Sequence, residues 1–241
     1  AVAALASGLS ACGGGAGKAA TTPSTSPTRA STPTMTSTAN PTTDQAGPRT
    51  VAELKSALLA LDDMPSGFAI EPAGGSGGDD GASSSKDPRC APLVKLMNAK
   101  TAPGSRAAAA ISLSGGQDGP FVDESIDALD SAEAVGALQA SFKAAVASCR
   151  QLVVTIPGQG SSTMKVAEVS APKFGEHPFA ARLTATGGPL DGLEITQVAA
   201  GVNDVIVSLS FIAAVADEVD AATEAAVGKA EEVLGGAASG A

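Results

Sequence analysis

Residues 13–48 hold almost nothing that could fill a core, and that stretch decides where this chain can fold. Between Thr21 and Asp44, 14 of 24 residues are serine or threonine and four are proline. Such a segment cannot bury enough apolar surface to offset the entropy of ordering it, so it reads as a disordered linker. A flexible chain of this length spans roughly 30–36 Å on average, and its prolines extend it further. It would lift a domain clear of a membrane and partly into a cell wall. The Ser/Thr-Pro richness also suits O-glycosylation. The folded domain is expected from Arg49 onward.

Ahead of the linker, Leu9-Ser10-Ala11-Cys12 follows a small, apolar run and precedes Gly13-Gly14-Gly15. This is the pattern of a bacterial lipobox. Residues 1–11 read as the tail of a truncated signal peptide, and Cys12 as the lipid-bearing first residue of the mature protein. The run is too short for a transmembrane helix, and no later stretch of about 18 apolar residues exists. Attachment would come from acyl chains, palmitate among them, on Cys12. One chain holds only marginally, so two or three are expected. The predicted address is the extracytoplasmic face of the cell membrane.

The formal charge is −10, from 25 acidic and 15 basic residues. No basic stripe exists to displace condensed counterions, which argues against nucleic acid as a partner. The chain has no Trp, no Tyr and six Phe, so stacking on sugars or bases is disfavoured. A single histidine restricts acid–base and metal chemistry. With Cys12 acylated, Cys90 and Cys149 remain as an even pair in an oxidising compartment, and a disulfide is expected. Closing a loop of about 60 residues would stabilise the fold by roughly 4 kcal/mol on the chain-entropy model. A metal site from two cysteines and a histidine is the weaker alternative, because the spacing matches no zinc pattern. No metal or cofactor is expected.

Thr50-Val51-Ala52-Glu53 is a capping box, and Val51, Leu54, Leu58 and Leu61 follow at helical spacing until Met64-Pro65-Ser66-Gly67 stops the helix. Residues 71–87 read as a long Gly/Ser/Asp loop. Pro88-Arg89-Cys90 leads into a short helix through Leu93, Leu96 and Met97. Strands are predicted at 108–113 and 121–129, the second with a solvent-facing side carrying Asp123, Ser125 and Asp127. A helix capped by Asp130, with Glu133 at N3, places Val135, Leu138, Phe142, Ala145, Val146 and Cys149 on one face. Strands follow at 152–156, 164–169, 179–186, 193–199 and 205–212, the last two as a hairpin. A final helix starts near Asp217, with Val219, Ala222, Ala226, Ala230 and Val233 on one side. Helices segregated around a run of strands predict an α+β fold. It is one domain over 49–236, a central antiparallel sheet packed by helices with one disulfide, and residues 237–241 form a tail.

Several motifs imitate catalytic or binding sites. Gly74-Gly75-Ser76-Gly77-Gly78 matches G-x-S-x-G but sits in a polar loop, without the strand and helix that hold a nucleophile elbow. Ser83-Ser84-Ser85-Lys86 and Ser162-Thr163-Met164-Lys165 match S-x-x-K without companion motifs. Gly13-Gly14-Gly15-Ala16-Gly17-Lys18 lacks the opening glycine and the Ser/Thr of a phosphate loop. His177 is read as a surface turn histidine at the start of a strand. Asp62-Asp63 and Asp79-Asp80 are read as solvated loop acids rather than calcium ligands, since no oxygen-ligand loop surrounds them. No catalytic residue is assigned.

The order of landmarks resembles a known family. Leu58-Leu59 runs into Pro65-Ser66-Gly67-Phe68, then Asp87-Pro88-Arg89-Cys90-Ala91-Pro92-Leu93. Val122-Asp123-Glu124, Ser131-Ala132-Glu133-Ala134, Phe142 and Ser148-Cys149-Arg150 follow, and then Phe174-Gly175-Glu176 before a strand and a closing helix. Over roughly residues 50–235 the chain is similar to sensor-type lipoproteins of actinobacteria and to the extracellular domain of PknH-type receptor kinases. The resemblance implies an antiparallel sheet with a cleft proposed to bind an unidentified ligand. The kinase domains carry two disulfides where this chain can form one, which implies a looser or differently shaped cleft. The mycobacterial lipid-carrying lipoproteins, open half-barrels with an apolar cavity, are a related idea, but no specific motif here supports it.

The function expected is that of a membrane-anchored, non-enzymatic, ligand-binding or sensor-like domain. A lipid or glycolipid carrier and a structural or interaction protein of the envelope are the alternatives. The membrane, through lipid on Cys12, is the expected partner, with a small-molecule or lipid ligand or an envelope protein beside it. Ligand-binding residues are not assigned from sequence.

Overall fold

The computed structural model describes residues 48–71 and 81–235. The lipobox, most of the linker, the Gly74–Gly78 motif and Asp79-Asp80 lie outside them.

Helix α1 (Val51–Ala57) begins as its sequence dictates. The Thr50 hydroxyl accepts from the Glu53 N–H, and the Thr50 N–H donates to Glu53 Oε2 at 2.7 Å. It stops earlier than the Val51–Leu61 spacing predicts. Leu58 turns extended, and the Leu59 N–H is taken by the Glu124 carboxylate at 2.7 Å instead of a helical carbonyl. A 3-10 turn, Leu61–Asp63, follows, and Val51 and Leu61 are exposed. Tertiary hydrogen bonding thus overrides a helical pattern.

Strands β1 (Ala69–Ile70) and β2 (Ala82–Ser84) come next, then a 3-10 turn Pro88–Cys90, α2 (Ala91–Met97), β3 (Ala107–Ser114) and β4 (Phe121–Ala128). Strand β2 falls inside the predicted 71–87 loop, where Asn98 accepts from the Ser83 N–H and donates to the Ser83 carbonyl. Helix α3 (Ala132–Ser148) carries the chain to β5 (Gln151–Ile156), β6 (Gly160–Val169), β7 (Glu176–Thr186), β8 (Glu194–Val202) and β9 (Val205–Ile212). Helix α4 (Ala216–Leu234) closes the fold. The cap of α3 is Ser131, whose hydroxyl accepts from the Ala134 N–H, and not Asp130, which pairs with Arg106.

Among the described residues the strands form one nine-stranded sheet, β1-β3-β4-β9-β8-β7-β6-β5-β2, antiparallel throughout. The expected α+β architecture is the one observed, with β8 and β9 as the expected hairpin. Period-two alternation sends side chains to two covered faces. Phe179, Ala181, Leu183 and Ala185 of β7 join Leu152, Met164 and the Cys90–Cys149 disulfide in a core beside α2 and α3. Ala180, Val198, Val207 and Leu209 face the other way, packing with Leu54 of α1 and Ala226 and Ala230 of α4. On α4 the C-terminal anchor is Leu234, while Val233 is exposed.

The disulfide joins the Pro88–Cys90 turn to the C-cap of α3. At the start of the domain, the Arg49 guanidinium donates to Asp204 Oδ1 and to the Leu234 carbonyl, both at 2.9 Å. That contact ties the first folded residue to the β8–β9 turn and the end of α4.

The outward side of β4 is less open than its sequence implied. Asp123 and Ser125 are half-buried, and the Ser112 hydroxyl donates to Asp123 Oδ1 at 2.6 Å. Asp127 is buried, its carboxylate accepting the Ala102 N–H at 2.9 Å. On the inward side, between Val122 and Ile126, Glu124 is 1% exposed. One of its oxygens holds the Leu59 N–H and the other has no partner. Burial raises its carboxyl to about 7, against the opposing pull of that N–H and of Lys229.

Candidate functional site

A cleft of about 670 Å³ opens between α3 and the facing ends of β6 and β7. Small residues make the space. Gly136 and Ala140 stand one turn apart on α3, and a Cβ at Gly136 would meet nothing within 4 Å. Phe179 forms the floor, held edge-on by Phe142 at 5.3 Å between ring centroids. At the rim, Lys143 Nζ lies 3.2 Å from Glu168 Oε1 and 6.0 Å from the Phe179 centroid. Both rim side chains are largely solvated, so the pair contributes about 0–1 kcal/mol and opens readily. The arrangement is an apolar seat with one cation and one anion at its mouth, suited to an amphiphilic ligand.

A β-bulge shapes one wall. Glu176 pairs with Gly201 and Phe179 with Ala199, so β7 carries one residue more than β8 over that interval. His177, at φ 48°, takes up the left-handed backbone this requires. Gln139, buried on α3, donates through Nε2 to the carbonyls of Glu176 and His177 at 2.9 and 3.0 Å. Just upstream, Gly175 at φ 71° approaches so closely that a Cβ there would lie 2.8 Å from the Gly201 carbonyl oxygen. Gln139 therefore pins the wall that aims His177, Pro178 and Phe179 at the cleft. Replacing it with alanine removes both hydrogen bonds and leaves the space of a buried amide empty. Gln139→Ala is expected to destabilise the domain by roughly 1–3 kcal/mol, read from urea midpoints.

His177 lies at the mouth of the cleft as well as at the start of β7. Ser170, His177 and Glu168 all line it, but no hydrogen bond joins any two of them, and Glu168 is engaged by Lys143. Ser83 and Ser84 sit in β2 and Ser162 to Lys165 in β6, neither opening the helix that S-x-x-K chemistry uses. Asp63 is bound by Lys229 and by the Ala60 N–H. Burial opposes its charge, yet those two donors hold its carboxyl below the ordinary value. Among the described residues no His, Cys, Asp and Glu cluster could hold a metal, and no helix is long and apolar enough to cross a membrane.

Sequence alone assigns none of the cleft residues, although one signal is there to be read. Gln139 interrupts the apolar stripe Val135–Phe142–Val146, and a polar side chain at a core position asks for a partner. Lys143, Glu168 and Gly136 carried no such signal.

Fold and site define a class: an antiparallel-sheet α+β domain with helices on both faces and an open cleft beside one of them. The chain belongs to the PknH-like extracellular domain family, whose model matches residues 49–229. The crystal structure of the extracellular domain of PknH from Mycobacterium tuberculosis is similar at 14% identity and a TM-score of 0.56, over 78% of this chain and 99% of that one. At that identity the likeness speaks for the fold. A putative uncharacterized protein from Mycobacterium smegmatis matches at 10% identity and a TM-score of 0.39, over 78% and 96% of the two chains. The comparison with curated proteins returned no match.

Proposed function

We propose that this protein is a non-enzymatic, extracytoplasmic sensor-like domain, tethered to the membrane by lipid on Cys12, that binds a ligand in the cleft between α3 and β6–β7. The observation that carries the reading is the cleft itself: an apolar seat on Phe179, a loosely held Lys143–Glu168 pair at the mouth and a wall built by the Gln139-pinned bulge. A family described as extracellular supports the address. A lipid carrier is the weaker reading, because the large apolar side chains that would line its cavity, Leu152, Met164 and Leu183, are spent in the core.

Two experiments bear on it. The tether predicts that Cys12→Ala moves the protein from the membrane to the soluble fraction; continued membrane association of that variant contradicts the lipid anchor. The cleft predicts a reproducible adduct of metabolite or lipid mass when the soluble Cys12→Ala chain is exported, purified without detergent and examined by native mass spectrometry.

A further inference from the structure

Arg182 stands on β7 beside Thr196 of β8, on the face of the sheet that carries α4. Its Nε–H is buried and has no hydrogen-bond partner. Its ion pair with Glu194 is long, 3.9 Å from Nη1 to Oε2. A buried N–H without an acceptor is destabilising, and native proteins leave few of them. The first turn of α4 overhangs this spot, and a cavity of about 250 Å³ lies beneath it. Val169, Ala180 and Val219 give it apolar walls, and Ser170, Arg182, Thr196 and Asp220 supply its charged and polar groups. Asp220 is exposed and takes part in none of the ion pairs among the described residues.

The Arg182 side chain is 39% exposed and its outer edge is held only by that long pair, so it can take the two oxygens of a carboxylate. A simple anion would meet Asp220 as a like charge. A molecule with an ammonium beside its carboxylate satisfies both groups, and the small apolar chamber limits its side chain to a few carbons. We propose that this cavity binds a small α-amino carboxylate as its zwitterion. The carboxylate sits on Arg182 and the Thr196 hydroxyl, and the ammonium on Asp220. The site is distinct from the cleft beside α3, although Val169, Ser170 and Ala180 wall both. It does not depend on the cleft's function, since no Arg182 or Asp220 contact enters that reading.

The test is NMR of the uniformly ¹⁵N-labelled full chain, following arginine Nε–H resonances during titration with L-alanine, propionate and n-propylamine. The Arg182 signal is assigned by its loss in Arg182→Lys. L-Alanine is expected to shift it saturably, propionate to do so with at least about tenfold weaker affinity, and propylamine to leave it unmoved. Asp220→Asn, at an exposed position, is expected to lower alanine affinity to the propionate level. Arg182→Gln is expected to abolish the alanine-induced shifts of neighbouring amides. Absence of any saturable shift with alanine or propionate overturns the site. Equal affinity for the two overturns the zwitterion, and alanine binding that survives Arg182→Gln overturns the role of Arg182. If that variant does not fold, the ligand series and Asp220→Asn decide alone.

Discussion

Glu124→Gln is expected to stabilise the domain at pH 8 by on the order of 3 kcal/mol and to leave it nearly unchanged at pH 4. The folded protein holds the Glu124 carboxyl at about 7, well above the 4.5 of an ordinary glutamate. Between those two values the native state keeps a proton that the unfolded chain has released. Stability therefore falls as pH rises through this window, and the whole penalty is present above it. Below it both states are protonated and the group contributes nothing. An amide keeps an oxygen for the Leu59 N–H and carries no charge to desolvate. The groups facing Glu124 are Lys229 on α4 and Asp63 in the turn after α1; their mutual ion pair leaves the charges near it nearly balanced. Urea midpoints from pH 4 to pH 8 give the result directly. Parallel profiles for wild type and Glu124→Gln would show that the carboxylate is not desolvated as its burial implies.

Removing the disulfide carries the other large effect. Cys90 and Cys149 are 59 positions apart, and the bond restricts the unfolded chain over that interval. The double variant Cys90→Ser/Cys149→Ser is expected to lose roughly 4 kcal/mol on the chain-entropy model, a large share of a typical domain's stability. The loss has a structural focus. Both cysteines are fully buried, and the bond fixes the C-terminal end of α3 against the turn that starts α2. Hydrogen exchange should therefore rise first in α2, β2 and the end of α3, and last in the β4–β9–β8 centre of the sheet. Uniform loosening, or no change in the urea midpoint, would contradict that assignment.

Much of the fold was legible because its signals are local. Thr50 and Glu53 satisfy each other within four residues. The period-two runs of β7 to β9 are long, and the alanine-rich faces of α3 and α4 repeat at helical spacing. What the sequence hid depends on distant partners. Nothing between Leu58 and Leu61 announces that a carboxylate 65 positions away will claim the Leu59 N–H and end α1. The three residues of β2 look like loop until Val153 to Thr155 lie beside them. Asp127 looked solvent-facing by alternation alone, and the Ala102 N–H that accounts for its burial arrives from a separate loop. The cleft was hidden for a different reason. It is made by what Gly136 and Ala140 lack, and its rim pair, Lys143 and Glu168, comes from two elements that only the sheet brings together.

Ligand binding is proposed for the cleft beside α3. Gly136→Phe tests it most directly, because a side chain built there projects into open space and can occupy the seat without displacing the helix. Native mass spectra of the exported Cys12→Ala chain, which carries no acyl group, and of Cys12→Ala/Gly136→Phe, purified identically without detergent, should show an adduct on the first and a bare mass on the second. The same adduct on both proteins, or on neither, would contradict the assignment of ligand binding to this cleft.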